Sequence, residues 1–236
     1  MPKVMGQLGP NPAEPPEHHR SDDGVPPQWG LDKQRLTAML RFTAELWREN
    51  AARLSDIDSR FGDGDHGVTM GKIAALILDK TGQAEGWTIH DLICSIGDGI
   101  MGISGGSAGP LYGTLVGGLA EPLTDQNEID GPLLKSMLAA SLAEMRTITK
   151  AAVGDKTMMD ALIPAVEAAA IAPNDPASIL AAASEAAARG AEATREMISK
   201  FGRARSYGEK TIGTEDAGAL STALFFQGLA GGFNAA

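Results

Sequence analysis

Between Ile57 and Met70 the chain reads IDSRFGDGDHGVTM. Three carboxylates, Asp58, Asp63 and Asp65, are separated by Gly62 and Gly64 and followed by His66 and Gly67. Acids this close repel one another, and each favours its neutral form when buried without a partner. A cation to hold is the simplest reason to keep them together. The glycines suit that purpose, because they let the backbone turn tightly enough for side chains five and seven positions apart to converge. Every other segment has to be reconciled with this loop.

The flanking sequence is helical in pattern. Leu36, Met39, Leu40, Thr43, Leu46, Trp47, Asn50 and Leu54 recur at three- and four-residue spacings, which predicts one long amphipathic helix running into the loop. A second helix is expected from Gly67 or Val68, carrying Met70, Ile73, Leu76 and Ile77 inward. Thr88 with Asp91 reads as a capping pair opening a third. Pro110 suits the first turn of a fourth and Pro132 opens a fifth. Thr157 with Asp160 caps a sixth, bent or shifted by Pro164. Asp175-Pro176 begins an alanine-rich seventh reaching about Lys200, and the eighth follows Gly218. No alternating strand pattern stands out. The expectation is an all-α, antiparallel, up-and-down bundle over residues 30–236, behind a flexible Pro-rich arm over 1–29 whose His18 and His19 receive no role.

Helix parity then places the glycine-rich connections. They lie at Asp58–Gly67, Gly102–Pro110, Val153–Met158 and Gly202–Gly218. These are the first, third, fifth and seventh connections, so all four are expected at one end of the bundle.

Bulk composition narrows the function. Of 236 residues, 43% are hydrophobic and only 5% aromatic, and the net charge is −10. So acidic a chain lacks the clustered Lys and Arg that nucleic acid demands. No apolar run reaches the ~18 residues of a membrane span. The single cysteine, Cys94, makes an intrachain disulfide impossible and a reducing, cytoplasmic compartment the default.

Several chemistries fail at the acidic loop. Gly62-Asp-Gly-Asp-His-Gly67 has the spacing of a dinucleotide fingerprint, but a helix precedes it and two aspartates would repel a pyrophosphate. An EF-hand started at Asp56 would put Arg60 at a ligand position and Phe61 where glycine is required. Gly154-Asp-Lys-Thr157 is not a Walker A sequence. Zinc is disfavoured by hard oxygen donors without a Cys or His cluster. Mg²⁺ fits best, and two ions bridging a polyphosphate suit three aspartates. The alternative is a solvated acidic turn that merely caps the next helix. Gly105 to Gly109 would offer backbone N–H groups at a helix N-terminus. Lys156 and Arg203 could neutralise phosphate charge, or be ordinary surface residues. Asp216 could cap the last helix or hold a ribose or metal-bound water. Leu111, Tyr112 and Met158 could face an adenine, or pack in the core.

Four motifs together resemble the L subunit, or L domain, of dihydroxyacetone kinases. They are Ile57-Asp-Ser-Arg-Phe-Gly-Asp-Gly-Asp-His-Gly67, Gly105-Gly-Ser-Ala-Gly-Pro110, Gly154-Asp-Lys-Thr-Met158, and Gly202-Arg203 with Gly208-Glu-Lys-Thr-Ile-Gly213 and Asp216-Ala-Gly218. The resemblance spans nearly everything after the arm. It implies an eight-helix barrel binding ADP or ATP at one end through two Mg²⁺ ions. Matched position by position, it makes Asp58, Asp63 and Asp65 the metal ligands. It makes His66, Gly67, Val68, Thr69, Ser107, Ala108, Thr149, Met158, Arg203, Asp216, Ala217 and Gly218 the nucleotide contacts. Many relatives carry Asn at the position of Thr69, and often Ala then Ser where Ser107-Ala108 stands. No protein residue is assigned as a covalent catalyst. The related fatty-acid kinases typically carry Thr at the position of His66, and rank lower.

The resemblance also implies a partner. In this family a separate K subunit holds the ketose on a histidine, and no residue here matches that histidine. The expected role is a phosphoryl-donating subunit, recharged either by ATP exchange or by a phosphotransferase-system protein. Dihydroxyacetone and erythrulose are equally compatible acceptors, and a homodimer stays open. The alternative is a nucleotide-loaded regulatory or binding protein that passes on no phosphate.

Overall fold

The computed structural model describes residues 30–104 and 106–236. Among the described residues eight α-helices carry the fold: α1 (Lys33–Ser59), α2 (His66–Gly82), α3 (Ile89–Met101), α4 (Ala108–Gly117), α5 (Gly131–Ile148), α6 (Met159–Ile171), α7 (Pro176–Ala193) and α8 (Ala217–Ala235). Short 3₁₀ turns at Gly118–Ala120, Thr194–Glu196 and Arg203–Thr211 fill the connections. The all-α expectation holds. One small addition is a two-residue antiparallel pair, β1 (Leu31–Asp32) with β2 (Glu128–Ile129), too short to leave an alternating pattern.

Five helices, α1, α3, α5, α7 and α8, start where a short polar side chain satisfies a first-turn N–H group. Asp32, Asp130, Asp175 and Asp216 accept from the backbone three residues ahead, at 2.8 Å each. Thr88 and Asp91 form the reciprocal capping box expected for α3. Pro132 and Pro176 stand in the first turns of α5 and α7, where a missing N–H costs nothing.

Each helix packs on its neighbours in sequence, and α8 returns onto α1, so the eight close into a ring. The closure is tight. A Cβ on Gly228 or Gly232 would lie 2.5 Å from the Cα of Thr43 or Met39. Trp47 of α1 is fully buried there, stacked on Phe225 at 6.0 Å and edge-on to Tyr112 at 5.4 Å. Its indole N–H donates to Ser221 O at 2.8 Å, giving its one polar atom a partner.

Two boundaries differ from expectation. The first helix continues to Ser59, so Asp58 belongs to its last turn instead of to the loop. The seventh stops at Ala193 rather than near Lys200, because the following chain folds back on itself in 3₁₀ turns. Pro164, expected to bend or shift the sixth helix, stands inside α6. Its missing N–H frees Asp160 O, and α7 closes in at that point: a Cβ on Gly190 would lie 2.0 Å from that oxygen. No helix among the described residues is long and apolar enough to cross a membrane. The arm over residues 1–29, with His18 and His19, lies outside the described residues, as does Gly105.

Candidate metal centre

Asp58 projects from the last turn of α1, Asp63 from the connection, and Asp65 from the N-cap position of α2. One carboxylate oxygen from each lies within 4.8 Å of the others. Asp58 Oδ2 is buried and has no hydrogen-bond partner. An orphaned buried carboxylate oxygen is costly, and a bound cation would satisfy it. Gly62 is required by the same packing, since a Cβ there would fall 2.3 Å from Asp58 Oδ1. Gly64 takes the left-handed conformation, φ +74°, that turns the chain toward Asp65.

The charges are unevenly matched. Asp63 is ion-paired with Arg203, which holds its carboxyl below the usual range. Asp65 is pushed up, first by burial and then by the charge of Asp63 and Asp58. One guanidinium thus faces three carboxylates, and the oxygen donors fit a hard divalent cation. The residues present suit the expected Mg²⁺.

The four glycine-rich connections do meet at this pole. Arg203 brings the seventh to the first, and Phe61 meets Tyr207 edge-on at 5.2 Å. A Cβ on Gly106 would lie 4.0 Å from Asp65 Oδ1, placing the third connection beside the acids. Lys200 ties the seventh to the fifth, through Nζ to Asp155 Oδ1 at 2.8 Å and N to Asp155 O at 3.1 Å. Met158 packs against Gly218. The N-termini of α2, α4, α6 and α8 therefore share one pole, where unsatisfied N–H groups and aligned dipoles favour anions.

The residues matched to nucleotide contacts divide by accessibility. Val68, Ser107 and Arg203 are exposed, and His66, Thr149, Asp216 and Gly218 partly so. Gly67, Thr69, Ala108, Met158 and Ala217 are buried. Thr149 ends α5, and its hydroxyl accepts from Ala151 N at 3.1 Å. Asp216 caps α8, and burial pushes its carboxyl up to about 7.

One side chain is not where the sequence suggested. Lys156 does not face the acid cluster. It is 3% exposed, and its ammonium is enclosed by backbone carbonyls beneath the 194–216 segment. Tyr112 takes the second of its two expected places, packing in the core instead of facing an adenine. Its hydroxyl lies 2.6 Å from Ser221 Oγ and 2.9 Å from Thr222 Oγ1, inside the barrel.

Tyr112 belongs to a polar network that sequence reasoning missed. His66 Nε2 lies 2.8 Å from Ser221 Oγ, which also contacts the Ala217 and Gly218 carbonyls. The network anchors the acidic loop to α4 and to the first turn of α8. Burial keeps His66 below its ordinary pKa, hence neutral. Its partners are 155 and 109 positions apart along the chain, so no local spacing could reveal them.

An all-α ring that brings three converging carboxylates and four helix N-termini to one pole is the class of helical domain the structure defines. The DAK2 domain family matches residues 60–231, and the chain belongs to it. Its relatives include the ADP-binding DhaL subunit of a PEP-dependent dihydroxyacetone kinase from Listeria innocua, 31% identical over 84% of this chain and 96% of that subunit. The corresponding Escherichia coli subunit is 28% identical over 85% of this chain and 97% of its own length. A D-erythrulose kinase from Mycolicibacterium smegmatis is 33% identical, but this chain spans only 32% of it. The dihydroxyacetone kinase of C. freundii shares the fold, with a TM-score of 0.67 and 24% identity over 98% of this chain and 38% of that enzyme. The same enzyme has been solved with AMP-PNP and Mg²⁺, with a TM-score of 0.64 and 23% identity to this chain.

Proposed function

We propose that the chain is the nucleotide-binding, phosphoryl-donating subunit of a short-chain ketose kinase. It holds ADP or ATP through two Mg²⁺ ions and passes phosphate to a ketose on a separate K-type subunit. The observation that carries this reading is the acid cluster, with the unpartnered Asp58 Oδ2 in it and first-turn N–H groups around it. The DhaL relatives bind ADP by name, and the C. freundii enzyme was solved with AMP-PNP and Mg²⁺.

Bound Mg²⁺ neutralises phosphate oxygens and aligns the transferring group. The chain's own residues do the rest. Asp58, Asp63 and Asp65 hold the ions. The first turns of α2, α4 and α8 present N–H donors to the phosphates. Arg203, displaced from Asp63, turns to phosphate charge. His66, held neutral on Ser221, keeps the loop in place. Phosphoryl transfer depends mainly on positioning and charge neutralisation, so donor and acceptor can reside on different chains.

Exposed apolar side chains support a partner. Val68, Met101, Ile148, Val153, Phe201 and Tyr207 all stand exposed around the loop pole, and clustered apolar exposure marks interaction surfaces. In one branch of the proposal ATP exchanges; in the other a phosphotransferase-system protein recharges ADP that stays bound.

Calorimetry of Asp63→Ala and Asp65→Ala with Mg²⁺ and ADP tests the site, and retained Mg²⁺-dependent binding in both would overturn it. The wild-type chain mixed with a K subunit, ketose, and either ATP or a phosphotransferase donor tests the transfer. Nucleotide binding without sugar phosphate from any donor would leave a regulatory binding protein.

A further inference from the structure

Lys156 is the one non-glycine residue among the described residues with a left-handed backbone, φ +60°. Such a conformation is strained and persists where surrounding contacts fix it. Its side chain is buried, and Nζ donates to Thr214 O and Thr211 O at 2.6 Å, Thr194 O at 2.8 Å and Met197 O at 3.2 Å. An ammonium has three N–H donors, so four carbonyls share them. Among the described residues no carboxylate is ion-paired with it, and Asp216 and Asp160 are the acids whose charges reach it. The arrangement is a carbonyl cage of the kind that holds a monovalent cation, here filled by a tethered one.

The four carbonyls come from the start and the end of one segment, residues 194–214. Around the cage the segment is knotted further: Gly213 N donates to Arg195 O at 2.7 Å, and Ser199 N to Thr211 Oγ1 at 3.1 Å. Asp216 N donates to Thr194 Oγ1 at 2.9 Å, which locks the start of α8 onto the same knot. The middle of the segment carries Arg203 to Asp63 and Tyr207 to Phe61. Its few regular backbone bonds would leave it loose without a central fastening.

We infer that Lys156 is a positioning residue whose ammonium occupies a built-in monovalent-cation cage and thereby fixes the 194–216 segment so that Arg203 and the first turn of α8 face the acid cluster. It touches neither metal nor phosphate. Its effect on nucleotide affinity passes through the segment, and that part alone rests on the function proposed above.

The test uses the full chain with Lys156→Ala and Lys156→Gln. Hydrogen exchange is followed at the amides of Ser199 and Gly213, with amides of α1 and α2 as reference. In Lys156→Ala the segment amides are expected to lose at least tenfold in protection, with the reference amides unchanged. Ammonium or K⁺ restores the protection; tetramethylammonium, too large for the cage, does not. Mg²⁺-dependent ADP affinity falls and recovers in parallel. Lys156→Gln, which keeps two donors without charge, shows a smaller loss confined to the same amides and keeps the question open to refutation if the alanine variant fails to fold. Unchanged segment protection, loss spread equally over α1 and α2 in Lys156→Gln, or local loss without cation rescue would each overturn the inference. Segment loss with rescue but no measurable ADP binding even in wild type would leave the cage standing and remove the nucleotide reading.

Discussion

Arg203 and Asp63 form an ion pair that joins the seventh connection to the first across the acid cluster. The same Asp63 carboxylate is one of the three whose oxygens converge for a cation. A metal bound there would therefore compete with the guanidinium for one group. Arg203→Gln is expected to tighten Mn²⁺ binding several-fold (on the order of two- to tenfold) without nucleotide, because a screened surface charge is removed. With ADP present the sign reverses, since phosphate loses a cation. Mn²⁺ titration by electron paramagnetic resonance, with and without ADP, reads both. The same sign in both conditions would show that Arg203 does not move between the two partners.

Gly62 gives a prediction of a different kind. Its Cβ position lies 2.3 Å from Asp58 Oδ1. Gly62→Ala must push that carboxylate aside while leaving the barrel intact. Mg²⁺-dependent ADP affinity should fall by about tenfold or more, as small misplacements of binding groups do, with little change in melting temperature.

On the proposed function, Asp58 ties stability to ligand. Its Oδ2 is buried without a partner. Asp58→Asn is expected to melt no lower than wild type without ligand, as a burden at a functional site is relieved. Wild type at a hundredfold the dissociation constant of its ligand gains about 2.7 kcal/mol, or roughly 5–10 °C for a chain of this size. The variant should show almost none of that shift in a thermal scan with Mg²⁺ and ADP.

Asp216 sets a pH dependence. Burial raises its carboxyl from 3.8 to about 7, against the lowering pull of Lys156 and the Ala219 N–H, with Asp160 adding to the rise. The folded state therefore binds a proton that the unfolded state has lost. The stability this provides is complete below about pH 4 and disappears as pH rises through 7, with a ceiling of about 4 kcal/mol. Asp216→Asn keeps an N-cap oxygen and cannot ionise. Urea midpoints measured from pH 4 to 8 should decline less for the variant than for wild type. Parallel curves would show that Asp216 titrates normally.

The helices were legible because Leu, Met and Ile recur with one period over long stretches, and because Thr88, Asp175 and Pro176 mark starts that obey local chemistry. Parity of the connections then brought Asp63, Gly106, Asp155 and Arg203 to one pole without any tertiary information. Lys156 was misread for a physical reason. A lysine beside a glycine-rich loop looks the same in sequence whether it meets phosphate or the carbonyls of a segment 38 to 58 positions away. Tyr112 stayed undecided between core and adenine, since only the closure of α8 on α1 brings Ser221 and Thr222 to its hydroxyl. The end of α7 escaped because residues 194–200 contain no glycine or proline to mark a stop, while the chain is turned by bonds to Lys156 that no local pattern records.

The return of α8 onto α1 has a topological consequence. Arg35 lies over the Phe233 ring at 5.0 Å, and Gly232 touches Met39, so both helices' outer ends share the pole opposite the acids. A chain whose first and last helices are neighbours is a necklace that can be unclasped elsewhere. Linking residues 30 and 236 and opening the ring near Ala84, between α2 and α3, would leave all four acid-pole connections uncut. Opening it at Gly64 would sever the bead that matters.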